Sequence, residues 1–240
     1  LIERAEKSNY LVATCVGEVG HGEVVLPIPR FVFMGDRSGG DTVRVALIAA
    51  LRGDEPEGTE AVARFLEELD RWPELARGYH LYAYPIANPT GFAAGTARNA
   101  QGVDLAAQFW NRSSQPEVYY LERELGALRF HGVVTLQVGD SGGSVFRVHT
   151  PSATLASAVG ESVVRAAQRW LPGNGGRDAG ETSFTPVYIT GTEELNPRPF
   201  EIALELPRQV SRHAQIRSAV AGLKALLEAY RGVISFGLNL

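Results

Sequence analysis

Arg98-Asn99-Ala100-Gln101-Gly102-Val103-Asp104-Leu105-Ala106-Ala107-Gln108-Phe109 is the stretch on which the fold turns. It follows an apolar run, His80–Ile86, and the turn Asn88-Pro89-Thr90-Gly91. An apolar run closed by Asn-Pro and then glycine reads as a strand ending in a tight turn. Three other stretches share that placement. The run Val43–Leu51 gives way to Arg52-Gly53-Asp54-Glu55-Pro56-Glu57-Gly58, and a helical pattern follows. The run Val133–Val138 contains Leu136-Gln137 and passes into a glycine-rich turn. A late run reads Ala203-Leu204-Glu205-Leu206-Pro207. All four sit at or near strand ends, where α/β sheets assemble binding and catalytic groups.

Working outward, four segments carry helical period. Val62, Phe65, Leu66, Leu69 and Trp72 recur at steps of three and four; a second helix runs from about Pro116 to Leu128. A third runs from about Ser152 to Leu171 with Leu155, Val159, Val163 and Trp170 on its apolar side. A fourth starts near Ser211, an N-cap residue type, and carries Ile216, Val220, Leu223, Leu227 and Tyr230. Further β-type runs lie at Phe31–Met34, Pro186–Ile189 and Ile202–Leu206. Several runs are continuously apolar, as expected of strands covered by helices on both faces. Alternating strands and helices predict one three-layer α/β/α domain.

The chain has 240 residues, 45% hydrophobic and 21% charged, enough for a sizeable core. With 23 basic and 27 acidic residues the net charge is −4, and no Lys/Arg stripe suits nucleic acid. No apolar stretch is long enough to span a bilayer. From the start, Leu1-Ile2-Glu3-Arg4, no secretory leader is expected, and Cys15 is the only cysteine, so an intrachain disulfide is excluded. A cytoplasmic location is the expectation.

In this order and spacing, the four stretches resemble the zinc metallocarboxypeptidases, the carboxypeptidase A-like group with its succinylglutamate desuccinylase and aspartoacylase relatives. The resemblance covers roughly 43–207, with the final helix consistent. It implies a single carboxypeptidase-like domain over 1–240, with a mixed, roughly eight-stranded twisted sheet. That family writes the first stretch His-Gly-Asp-Glu-Pro, the second Asn-Pro-Asp-Gly then Arg-x-Asn and Gly-Val-Asp-Leu-Asn-Arg-Asn-Phe, and the third with Leu-His. The resemblance makes positions 52, 55 and 137 the metal-ligand positions. It makes Arg98 the group that polarises the scissile carbonyl, positions 106 and 107 the grip on the terminal carboxylate, and Glu205 the base that activates water.

Two ligand positions depart from the pattern. Arg52 stands where the first His belongs and Gln137 where the second belongs; Glu55 matches. Ala106 and Ala107 replace the Asn-Arg grip. A catalytic zinc needs about three protein ligands and one open position. Arginine stays protonated and offers no lone pair, and a neutral amide oxygen is a poor ligand. No cofactor is therefore expected, with zinc only if a nonstandard site exists. His21, His80, His131, His149 and His213 are read as surface or hydrogen-bonded residues rather than replacements. The Arg52 guanidinium is expected to occupy or border the vacated position and bridge Glu55, Glu205 or both, with Gln137 adding a neutral hydrogen bond.

Gly139-Asp140-Ser141-Gly142-Gly143-Ser144 looks like a serine-protease nucleophile motif, but the helices contradict that double-barrel architecture. A glycine-rich turn accounts for it, with the Ser141 hydroxyl available to a bound group. The expected function is a non-hydrolytic or weakly active domain binding a small carboxylate or peptide-like ligand, with Arg52, Glu55, Asn99, Gln137 and Ser141 lining the cleft. The alternative is an active metallocarboxypeptidase or amidohydrolase with a nonstandard metal site. A third reading is an interaction protein with a vestigial cleft.

Overall fold

The computed structural model describes residues 1–36, 42–139, 144–172, 181–183, 195 and 198–235. The chain opens with a one-turn helix α1 (Ile2–Ala5) and a long hairpin, β1 (Leu11–His21) and β2 (Val24–Met34). Then come β3 (Val43–Ala49), α2 (Pro56–Arg71), β4 (Tyr79–Tyr84), α3 (Pro89–Ala94), α4 (Pro116–Leu128) and β5 (Gly132–Gly139). The second half holds β6 (Arg147–His149), α5 (Ala153–Leu155), α6 (Glu161–Gln168), β7 (Glu181–Ser183), β8 (Phe200–Pro207) and α7 (Arg212–Ser235). A π turn, Ala156–Gly160, joins α5 to α6.

The strands form one mixed sheet in the order β1-β2-β4-β3-β5-β8-β6-β7. At the edge β7, three residues long, pairs with β6. The centre, β4-β3-β5-β8, is parallel, and both flanks turn antiparallel at β2 and β6. Parallel strands have to be covered on both faces, and two cores do this. Phe65, Leu66 and Leu69 of α2 join Val163 of α6 and Leu223 and Leu227 of α7 against Leu47, Val134 and Leu204. Leu121 and Leu125 of α4 pack with Leu105 and Phe109 against Ala46, Ile48 and Val133 on the other face. The layered α/β/α architecture read from the sequence is the one observed.

Some local expectations need correction. Trp72 and Trp170, placed on apolar helix faces, are 45% and 44% exposed because both lie just past the last helical turn. Each is instead met by a guanidinium, Arg71 at 5.3 Å and Arg217 at 3.8 Å from the ring centroid. Ser211 accepts from the Ala214 backbone N–H, which confirms it as the cap of α7. The strand expected at Pro186–Ile189 lies outside the described residues.

Candidate functional site

The site follows from where β3 stops. β3 pairs with β5 only as far as Ala49 opposite Leu136, so β5 runs on beyond its neighbour. Ala50 adopts a left-handed conformation, φ 50°, and turns the chain out of the sheet into Leu51-Arg52-Gly53. A non-glycine residue in that region is strained, and such strain collects at functional turns. The turn is tied to the second stretch: the Asn88 backbone N–H donates to Ala50 O, and its carboxamide donates to Leu51 O at 3.2 Å. Asn88 also caps α3, accepting from the Gly91 N–H at 2.9 Å.

Glu55 is the N-cap residue of α2, yet its side chain does not cap the helix. Its Oε2 accepts from the Val138 backbone N–H at 2.9 Å, filling the place of the strand partner that β3 no longer supplies. The carboxyl is only 4% exposed. Burial is the main influence and raises its pKa from 4.5 to about 7, against the opposing hydrogen bond from Val138 and the nearby Arg52. Arg52 Nε lies 3.0 Å from Glu55 Oε1, with a second contact from its Nη2 to Asp54 at 3.4 Å. Arg208, just past the end of β8, places Nη2 3.7 Å from the same Oε1. Neither contact closes as a hydrogen bond, so Oε1 is buried with its acceptor capacity open among the described residues.

Glu205 and Gln137 stand opposite each other in the parallel β5–β8 register and share one face of the sheet. Gln137 is exposed. Glu205 leans over Gly139, where a Cβ would fall 2.1 Å from its Oε1. Both its oxygens are engaged from β6: Arg147 Nη1 at 3.3 Å from Oε1 and His149 Nε2 at 2.9 Å from Oε2. The bridge expected from Arg52 therefore forms with Glu55, while Glu205 is met by two β6 groups. His149, expected to be a surface or hydrogen-bonded residue, pairs with Glu205; it reaches the site because β6 runs antiparallel beside β8, with Arg147 opposite Glu205 and His149 opposite Ala203.

Arg98 and Asn99 serve their own loop. Arg98 is exposed and donates to Gly102 O at 2.8 Å. Asn99 is buried; its Oδ1 accepts from Gln101 and Val103, and its Nδ2 donates to Gln115 at 2.6 Å. That carboxamide is committed to holding the loop. Ala106 and Ala107 lie in a short 3-10 turn. Ser141 lies outside the described residues. Arg147 and Arg208 went unnoticed in the sequence; the only signals were the alternation Arg147-Val148-His149 and the position of Arg208 after Leu206-Pro207.

The metal that the resemblance implies does not fit these residues. At one ligand position a guanidinium is paired to the remaining carboxylate, and at another stands a carboxamide. Among the described residues no group of three His, Cys, Asp or Glu is placed to hold an ion. No helix among them is long and apolar enough to cross a membrane.

No family model and no curated protein matches the sequence. Solved structures do match in shape. A metallo-carboxypeptidase from Burkholderia cenocepacia superposes with a TM-score of 0.74 at 14% identity, covering 96% of this chain and 67% of its own. One from Pseudomonas aeruginosa, in complex with (2-guanidinoethylmercapto)succinic acid, gives 0.73 at 15%, over 96% and 67%. The carboxypeptidase A from Helicoverpa armigera gives 0.69 at 13%, over 97% and 70%. The chain thus has the fold of the zinc metallocarboxypeptidases, built around a set of site residues of its own.

Proposed function

We propose that this chain is a carboxypeptidase-fold domain that works without zinc and binds a small carboxylate or peptide-like ligand in the former active-site cleft, with hydrolysis weak or absent. The observation that carries this reading is Arg52 Nε, 3.0 Å from Glu55 Oε1. A fixed positive charge stands beside the one carboxylate that matches a family ligand, where it repels a divalent ion and offsets the carboxylate's charge in its stead. Glu205 adds support, since Arg147 and His149 hold both oxygens that a general base would use. Without a metal, a water in the cleft keeps its ordinary acidity, and the main rate lever of zinc hydrolysis is absent. The succinic acid derivative bound by the Pseudomonas aeruginosa neighbour supports carboxylate recognition by analogy only.

A second reading, hydrolysis through a nonstandard metal site, is favoured by His149, an imidazole beside Glu205. Elemental analysis of protein purified without chelator separates the two. The expected result is no stoichiometric zinc; stoichiometric zinc that Glu55→Ala abolishes would overturn the metal-free reading. Arg52→His combined with Gln137→His is expected to create zinc affinity by completing a three-ligand set. Peptidase assays on that variant are expected to show no exopeptidase activity, because Ala106 and Ala107 still provide no carboxylate grip.

A further inference from the structure

We propose that Arg52 and Arg208 form a two-guanidinium clamp for a ligand carboxylate that has an amide N–H beside it, as at a peptide C-terminus or in an N-acyl amino acid. The clamp rests on the metal-free reading above and supplies the grip that Ala106 and Ala107 lack. Its first support is geometry. Arg52 Nε and Arg208 Nη2 lie 3.0 and 3.7 Å from one atom, Glu55 Oε1. Their separation is at most the two distances laid end to end, a gap one carboxylate can bridge with charge-assisted hydrogen bonds of about 2.8 Å.

The second support is access. The Arg52 and Arg208 side chains are 41% and 43% exposed, whereas Arg147 and His149, at 16% and 15%, are sunk against Glu205. The planar fork of arginine carries five donors, so one edge can face Glu55 while another meets a ligand. Asp54 also stands on this edge of the clamp, its Oδ2 3.4 Å from Arg52 Nη2.

The third support is the open acceptor. Glu55 Oε1 is buried and takes no hydrogen bond among the described residues. Leaving such an atom unmatched is costly, which marks it as a place for a donor. A lone anion would leave it unmatched and add repulsion. A carboxylate with a neighbouring N–H satisfies all three groups: the oxygens meet the guanidiniums and the N–H donates to Oε1. Gln137, exposed and next in sequence to the Val138 that anchors Glu55, is the neighbouring carboxamide on β5.

The test is calorimetric titration with N-acetylglycine, N-acetylglycinamide, butyrate and a tetrapeptide with a free C-terminus. N-acetylglycine is expected to bind, the amide and butyrate more weakly, and the tetrapeptide arm distinguishes a peptide end from a small N-acyl amino acid. Arg208→Ala is expected to weaken N-acetylglycine about tenfold or more, with Arg208→Lys in between because it keeps charge and loses the fork. Thermal unfolding of each variant checks that the fold is intact. Binding that Arg208→Ala leaves unchanged, or equal binding of the amide, overturns the clamp and leaves the metal-free binding domain standing. No N-acetylglycine binding by the parent protein overturns the clamp as well, and the zinc measurement still decides the reading beneath it.

Discussion

Replacing Gly53 by alanine is expected to cost about 3 kcal/mol or more, because a Cβ there has no room on any side that can yield. It would fall 2.1 Å from Gly91 C, 2.2 Å from Phe92 N and 2.6 Å from Gly91 O, all backbone atoms. Gly91 is confined in turn: its own Cβ would meet Asn88 Nδ2 at 2.5 Å and Arg98 O at 2.7 Å. The two glycines let the turn that presents Arg52 and Glu55 lie directly on the first turn of α3. Side chains at such a contact could rotate away; backbone tied down by Asn88 cannot. Gly126, exposed in α4 with nothing within 4 Å of a Cβ, is the control. Gly126→Ala is expected to stabilise by up to about 1 kcal/mol through helix propensity alone. Urea unfolding of both variants checks the pair; a Gly53→Ala loss below about 1 kcal/mol would show that the two turns are not locked together.

The four strand-end stretches were legible because each combines a continuous apolar run with residues that only a turn requires. That placed β3, β4, β5 and β8 and the Glu55, Gln137 and Glu205 positions. The hairpin was harder. β1 carries Gly17 and Gly20, and its register shifts between Cys15 and Gly17, which breaks the two-residue period. β2 contains Pro27 and Pro29, residues that argue against an interior strand. The sheet tolerates them because β2 pairs with β4 only from Phe31 onward, leaving the proline end with β1 as its one partner. Only Phe31–Met34 therefore read as strand.

The site was half legible for a related reason. Sequence pattern names residues at the ends of strands but not which strand lies beside which. Arg147 and His149 acquire meaning only once β6 is known to run antiparallel to β8, in a register that sets Arg147 opposite Glu205. Arg208 becomes relevant only because β8 ends near the start of α2, where Glu55 sits. Arg98 and Asn99 show the converse. Their motif was recognisable, yet hydrogen bonds to Gly102, Gln101, Val103 and Gln115 commit them to shaping the loop. A motif identifies the loop more securely than it identifies the work of each side chain.

Stability is expected to fall by about 3 kcal/mol between pH 4.5 and pH 7 through Glu55 alone. The sign follows from its environment. Burial raises the folded-state pKa to about 7, against 4.5 for the unperturbed group, so the folded protein holds a proton through that window that the unfolded chain has released. The contribution is complete below pH 4.5 and is lost as pH rises through 7. Other carboxylates titrate at low pH, so the measurement is a difference: unfolding free energy of the parent minus that of Glu55→Gln, followed from pH 4 to 8. Glutamine keeps an acceptor for the Val138 N–H and removes the titration. Its amide beside Arg52 and Arg208 adds an offset that does not change with pH, so the slope is the readout. The variant is expected to gain on the parent by about 3 kcal/mol across the window, and a flat difference would place Glu55 in a wet, unperturbed site. Arg52→Ala probes the same balance from the other side. The bare carboxylate can take a proton, and Arg52 is 41% exposed, so its loss at pH 7 is expected to cost about 1 kcal/mol rather than the larger sum for an obligate buried pair. Without that guanidinium, the pH-dependent fall is expected to move to higher pH, because the charge that lowers the Glu55 pKa is gone.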